Sequence, residues 1–258
     1  MAENIGLAQM AIAYSLILLV FVLATANRLK INRDLAIAAL RMTLQLVAAG
    51  ILLRYVFRIN YWYTSLLLLF AMLFFAVHVV IGRLDLKIPR LTTILFVSMA
   101  GGSLVVIAVF IFLVVGRQPW YDVQYVIPIG GMIIGNSMTA CALASERFTN
   151  EMMTRRQLIE TSLALGANFK EASVDAFRGA YRAALLPTIA SMTGMGIVHL
   201  PGMMTGQILS GVEPLLAVKY QIAIILAIIG AAALSCLLNL YLLRNTLFDR
   251  CHQVMYSS

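Results

Sequence analysis

Seven apolar runs, each about as long as a bilayer is thick, leave this chain little choice of fold. They lie at about Gly6 to Ala26, Leu35 to Phe57, Trp62 to Ile81, Leu91 to Val115, Val126 to Ala144, Ala183 to Leu209 and Lys219 to Leu243. A helix needs roughly 20 mostly apolar residues to cross a hydrocarbon core about 30 Å thick. Lipid offers the backbone no hydrogen-bond partners, so runs of this length must satisfy themselves as helices. Composition agrees: 62% of residues are hydrophobic and 12% charged, about half the charged share of a soluble domain. The expected fold is all-α, a single polytopic membrane domain over residues 1–258 with about seven transmembrane helices. The sixth run is the exception in quality. Between Gly194 and Gly211 it holds five glycines and Pro201, which predicts a kinked or partly re-entrant segment.

The net charge of +8 and pI near 9.7 do not imply nucleic acid, because basic residues flanking membrane spans produce the same balance. Their placement is informative. One set of loops carries Arg28, Lys30, Arg33, Arg83, Lys87, Arg90, Arg147, Arg155, Arg156, Lys170, Arg178, Arg182, Arg244 and Arg250, fourteen in all. The other set carries four, Arg54, Arg58, Arg117 and Lys219. The positive-inside tendency predicts that the fourteen face the cytoplasm, with the N-terminus outside and the C-terminus inside. That arrangement requires an odd number of crossings. The first run is expected to be a retained helix: no Lys or Arg precedes it, although Ala24-Thr25-Ala26 imitates a cleavage site. Cys141, Cys236 and Cys251 are odd in number and have no CxxC spacing, so they predict neither a disulfide framework nor a thiolate metal site.

One long polar block interrupts the apolar pattern, from Ser145 to about Arg182. Ile159 to Ala167 reads as a helix ending at Gly166, placed where a left-handed residue closes a helix at no steric cost. Asn168, with Glu171 three residues on, reads as the cap of a second helix to about Gly179. A helix–turn–helix outside the membrane forms a compact knob. It serves either as a solvated loop or as a contact for a partner.

The phrase from Glu160 to Gly166, with Leu163-Ala164-Leu165-Gly166-Ala167 and the following Lys170-Glu171-Ala172, resembles the EAA loop of ABC-transporter permeases. In that family the loop docks into a separate ATPase. The resemblance implies that Glu160, Leu165, Gly166, Ala167 and Phe169 contact an ATP-binding subunit. There are departures: the acidic-Ala-Ala start is here Glu160-Thr161-Ser162, Gly179 stands where the family has its closing proline, and Leu186-Pro187 follows Gly166 by twenty-one residues, about two helical turns late. Longer strings, Val126 to Met138, Arg182 to Ile189 and Leu200 to Ile222, resemble the FetB-like iron-export ABC permeases, a group that includes plant aluminium-tolerance permeases. This implies a multi-pass permease of the bacterial inner membrane that expels iron and serves oxidative-stress resistance. It also implies a homodimer paired with two ATPase subunits that hold ATP and Mg.

No GxxxxGK[ST] phosphate-binding loop occurs in the sequence, so an ATP-driven pump built on this chain must borrow its motor. No Ser-His-Asp set, carboxylate pair or HExxH is legible, and the chain is not expected to be an enzyme. Cofactors are expected only in the partner.

Two segments share a pattern. Gly131-Met132-Ile133-Ile134-Gly135-Asn136 matches Gly202-Met203-Met204-Thr205-Gly206-Gln207. Each is a GxxxG followed by a side-chain amide, which suits close helix packing with interhelical hydrogen bonds. It equally suits two helices lining a substrate pathway, with Met132, Asn136, Met203 and Gln207 as candidates. His199, four residues before Met203, is either a structural histidine or a metal ligand, although ferrous iron favours N and O ligands over thioether. Asp122 and Glu213 are expected outside, near an exit. No dedicated metal-ligand set is predicted. The competing functions are an ATP-driven ABC permease, for iron or for another solute such as a nucleotide sugar, and a secondary transporter or channel without an ATPase. The polar block separates them, since a carrier has no need of it.

Overall fold

The computed structural model describes residues 6–29, 31–58, 61–84, 88–116 and 118–247. Lys30, Lys87, Arg117, Arg250 and Cys251 lie outside the described residues. The described chain is helical, with ten α-helices in order: α1 Leu7–Ala26, α2 Asn32–Val56, α3 Trp62–Arg83, α4 Leu91–Val109, α5 Val123–Thr154, α6 Arg156–Ala164, α7 Phe169–Ala172, α8 Val174–Gly194, α9 Gly202–Leu209 and α10 Pro214–Leu247. A π-helical turn, Phe110–Val115, extends α4. Six helices are long and apolar enough to span a membrane: α1, α2, α3, α4 with its extension, α5 and α10. This is a polytopic all-α membrane protein. By contact the chain divides into two units, residues 1–59 with 209–211, and residues 60–208 with 212–258.

The first unit is a helical hairpin. α1 and α2 are joined by a short turn in which Arg28 adopts φ 53°. Tyr14 and Thr43 hydrogen-bond across the pair, and Asn32 donates to Thr25 Oγ1 at 2.6 Å.

The second unit is a bundle around α5 and α10. α3 and α5 run in the same direction. Ser65 at the start of α3 donates to the Tyr121 carbonyl just before α5 at 2.7 Å. One turn further in, α3 and α5 touch at Gly130, where an added Cβ would lie 2.3 Å from Leu69 Cδ2. α4 runs antiparallel to α10, and the two backbones nearly touch at Gly102, where a Cβ would stand 2.4 Å from the Ser235 amide nitrogen. α5 and α10 are parallel and joined near their C-terminal ends by Asn239. Its amide is fully buried and donates to Ser145 Oγ at 2.8 Å and to the Cys141 carbonyl at 3.3 Å. An amide at that depth without a partner would cost several kcal/mol.

Aromatic residues ring the end of the bundle where α3 and α5 begin. Trp62 packs on Tyr63, and Trp120 packs on Phe112 and Tyr121. Such rings favour the headgroup level of a membrane.

The sixth expected crossing, Ala183 to Leu209, is not among the six helices long and apolar enough to span, which corrects the expected count of seven. α8 does not stop near Gly179 or begin near Ala183; it runs unbroken from Val174 to Gly194. Gly179 meets no neighbour and does not force a break. After Gly194 the helix is interrupted at residues 195–201, where Gly196 takes φ 82° and its amide bonds the His199 carbonyl at 3.0 Å. α9 then resumes for eight residues. α8 begins beside the C-terminal end of α10, and Met192, Met204 and Ile222 line one cavity, but among the described residues neither α8 nor α9 is long and apolar enough to span a membrane. α5 also outruns its apolar segment. The expected end near Ala144 is passed by ten residues, to Thr154, so the polar block begins as a continuation of a span.

Candidate coupling element and permeation cavities

The polar block folds into a knob whose geometry is local in origin. α6 closes with Gly166 at φ 96°. The Gly166 amide bonds the Leu163 carbonyl and the Ala167 amide bonds the Ser162 carbonyl, both at 3.0 Å. This is the Schellman closure, which uses orphan carbonyls of the last turn. Asn168 then caps α7. Its Oδ1 accepts from the Lys170 and Glu171 amides at 2.9 and 3.0 Å, and Glu171 Oε2 accepts from the Asn168 amide at 2.9 Å. Ser173 Oγ donates to the Phe169 carbonyl at 2.7 Å, joining α7 to α8.

The five residues singled out here do not share one surface. Leu165 sits at the tip and is 84% exposed. Gly166 is exposed beside it, and Glu160 is exposed and paired with Arg156 at 2.7 Å. Ala167 is half-buried. Phe169 is half-buried and anchors the knob, with the Arg244 guanidinium 5.9 Å from its ring centre. Arg244 also lies 4.9 Å from the Phe177 ring and 5.1 Å from Tyr241. The tip is therefore tied to the C-terminal end of α10 through one caged cation.

Two cavities lie deeper in the bundle. The smaller, about 150 Å³, is lined by Asn136 and Thr139 of α5, Pro187, Thr188 and Ser191 of α8, and Ile225 of α10. The larger, about 360 Å³, sits at the helix break and is lined by Met192, Met195, Met204 and Gln221 among apolar neighbours. The Gln221 Oε1 is buried without a hydrogen-bond partner. Ile225 borders both cavities.

The repeated glycine pattern is only partly what packing would predict. Gly135, Gly202 and Gly206 face open space, and Gly131 approaches only the mobile end of Met72. The close approaches occur instead at Gly102 and Gly130. Asn136 is not an interhelical donor: its Nδ2 bonds the Met132 carbonyl of its own helix at 2.8 Å. Asn136 lines the smaller cavity, whereas Met132, Met203, Gln207 and His199 line neither. His199 is exposed in the non-helical break, so its spacing to Met203 does not place the two on one helix face. Gln207 Oε1 is buried without a partner. Asp122 caps α5 through a bond from the Gln124 amide at 3.1 Å, and Glu213 is exposed at the start of α10. Among the described residues no three His, Cys, Asp or Glu side chains come together. Sequence reasoning missed Met192, Met195, Met204 and Gln221, whose proximity depends on the helix break. It also missed Asn239, which an amide within an apolar run could have flagged.

The model of the uncharacterised protein family UPF0014 matches residues 7–248. The chain belongs to this family. It is similar to the probable iron export permease protein FetB of Escherichia coli K12, 31% identical over 254 residues that cover 98% of this chain and 96% of that protein. It is also similar to a UPF0014 membrane protein, YjkA, of Bacillus subtilis, 32% identical with 90% and 91% coverage. A third relative is the protein ALUMINUM SENSITIVE 3 of Arabidopsis thaliana, 28% identical with 96% and 90% coverage. No solved structure matches the chain. The UPF0014 match spans both structural units and both cavities.

Because the Asn136 amide bonds within α5, removing it should spare assembly. We expect Asn136→Leu to keep wild-type yield and melting temperature while lowering transport about tenfold, the effect of about 1.4 kcal/mol at one step. Size-exclusion profiles and transport assays on the same preparation check this. Normal transport would remove Asn136 from the pathway.

Proposed function

We propose that this chain is the membrane-spanning subunit of an ATP-driven transporter that exports iron. Two copies would form the translocation path, and a separate ATPase would supply ATP and Mg. The observation that carries this reading is the exposed Leu165 at the tip of a rigid polar knob. An apolar side chain held 84% exposed by a Schellman turn and a capping box serves no purpose within the chain. A partner groove would bury it. Fully burying a leucine contributes about 1.5–3 kcal/mol. The charge asymmetry supports placing this knob, the start of α8 and the end of α10 on the cytoplasmic side, with the N-terminus outside. The relative named as an iron export permease supports the substrate and the direction.

The cavities are consistent with cargo that is released rather than retained. Their polar linings are amides, hydroxyls and thioethers, without the fixed carboxylate cage that a tightly held hard divalent ion requires. Cells lacking the protein should accumulate iron under iron loading and become more sensitive to peroxide. Total cell iron measured by mass spectrometry tests this. Unchanged iron in cells with an intact ATPase partner would move the assignment to a non-metal solute.

A further inference from the structure

A third cavity, of about 590 Å³, opens where α7, α8 and the end of α10 meet, lined by Lys170, Glu171, Phe177, Arg178, Tyr241 and Arg244. Three cations face one carboxylate. That carboxylate is already engaged, since Glu171 Oε2 accepts from the Asn168 amide. The ion pairs of the polar block are spent elsewhere, on Arg147 and Arg155 with Glu151 and on Arg156 with Glu160. Among the described residues none pairs with Lys170, Arg178 or Arg244.

Arg244 is the telling member. It is only 7% exposed and is fixed by the Phe169, Phe177 and Tyr241 rings. Its Nε is buried without a hydrogen-bond partner. Aromatic faces offset part of the desolvation of a guanidinium but leave its N–H donors unused. A buried cation without an anion is costly. Planar N–H donors beside two further cations match phosphate oxygens. The position fits the same ligand. Arg244 lies thirty residues along α10 from Pro214, about 45 Å at 1.5 Å per residue. That exceeds the roughly 30 Å hydrocarbon core and puts the cavity at headgroup level, opposite the aromatic ring of residues.

We propose that this cavity is a binding site for a phosphate-bearing anion, supplied by the headgroup of an anionic phospholipid, and that its occupancy fixes the coupling knob against α10. The proposal depends on the membrane placement of the chain and not on its cargo or on an ATPase.

The test uses the full-length protein in micelles containing equal phosphatidylglycerol and phosphatidylcholine, with bound lipid counted by native mass spectrometry. Phosphatidylglycerol should be retained selectively and should raise the melting temperature. Lys170→Gln with Arg178→Gln, both at exposed rim positions, should lower phosphatidylglycerol affinity about 25-fold, at about fivefold per cation. Melting in phosphatidylcholine alone should not change. Because Arg244 is buried in the aromatic cage and its replacement disturbs packing, the rim variants carry the decision. Inorganic phosphate that protects as well as the lipid, and loses this effect in the rim variant, supports the site with a soluble ligand. Equal phosphatidylglycerol binding by wild type and the rim variant overturns the proposal. So does a failure of both lipid and phosphate to bind while an added ATPase subunit alone protects the knob, which would assign the cations to a protein carboxylate.

Discussion

Gly102→Leu should abolish the folded protein. At this position α4 and α10 approach so closely that a Cβ would stand 2.2 Å from Ser235 Oγ, 2.4 Å from its amide nitrogen and 2.7 Å from its Cα. Two of those atoms are backbone, so no rotamer change relieves the clash and the helices must separate. Overpacking a core typically costs about 1–3 kcal/mol where side chains can give way. Here the cost should exceed that range, because Leu95, Ser98 and Met99 on α4 and Ser235 on α10 are all buried. Even Gly102→Ala should reduce yield severely. Gly101→Ala is the control, since its Cβ would meet only the Leu238 Cδ1 at 3.2 Å. Size-exclusion chromatography in detergent should show a monodisperse peak for Gly101→Ala and aggregate for Gly102→Leu. A monodisperse Gly102→Leu protein would mean that the α4–α10 seam is not as described.

The second large effect is expected at the knob. Leu165→Asp should leave folding within about 0.5 kcal/mol of wild type, as for exposed positions generally. It should weaken association with the ATPase at least about 30-fold, the loss of a hot spot worth about 2 kcal/mol. Gly166→Val should act by another route. Nothing crowds a Cβ at Gly166, so its effect comes from the backbone alone. A β-branched residue at φ 96° is strained by about 1–2 kcal/mol or more. The turn should reopen and release the Ser162 and Leu163 carbonyls. ATPase binding should then persist in weakened form while hydrolysis no longer drives transport. Co-purification and ATPase assays separate the two. Wild-type coupling in both variants would rule out this docking surface.

Much of the fold was legible because it is written in local chemistry. Apolar runs specify spans, and Gly166, Asn168 and Glu171 specify the turn and cap by spacing alone. Hydropathy could not show that α5 continues to Thr154. That extension buries Phe148 and Met152 on one face, with Phe148 against Phe177, and Glu151 pairs with Arg147 and Arg155 at 2.7 and 2.8 Å; the charged residues between lower its mean hydropathy. The glycine motifs misled in detail. GxxxG permits close approach but does not say against which neighbour, and the approaches are made by Gly102 and Gly130. His199 and Met203 looked like helical neighbours until the break at residues 195–201 removed the helix between them. The methionine-lined cavity and the Arg244 cage gather residues from distant helices, so no window of sequence contains them.

The most direct test of the account is transport by purified protein. The chain and the proposed ATPase partner would be reconstituted in sealed vesicles with the knob facing outward, and ferrous iron and Mg-ATP added outside. ATP-dependent iron accumulation in the lumen, lost in Leu165→Asp, is the predicted result. Iron movement that proceeds equally without ATP or without the ATPase would contradict it and identify a carrier or channel.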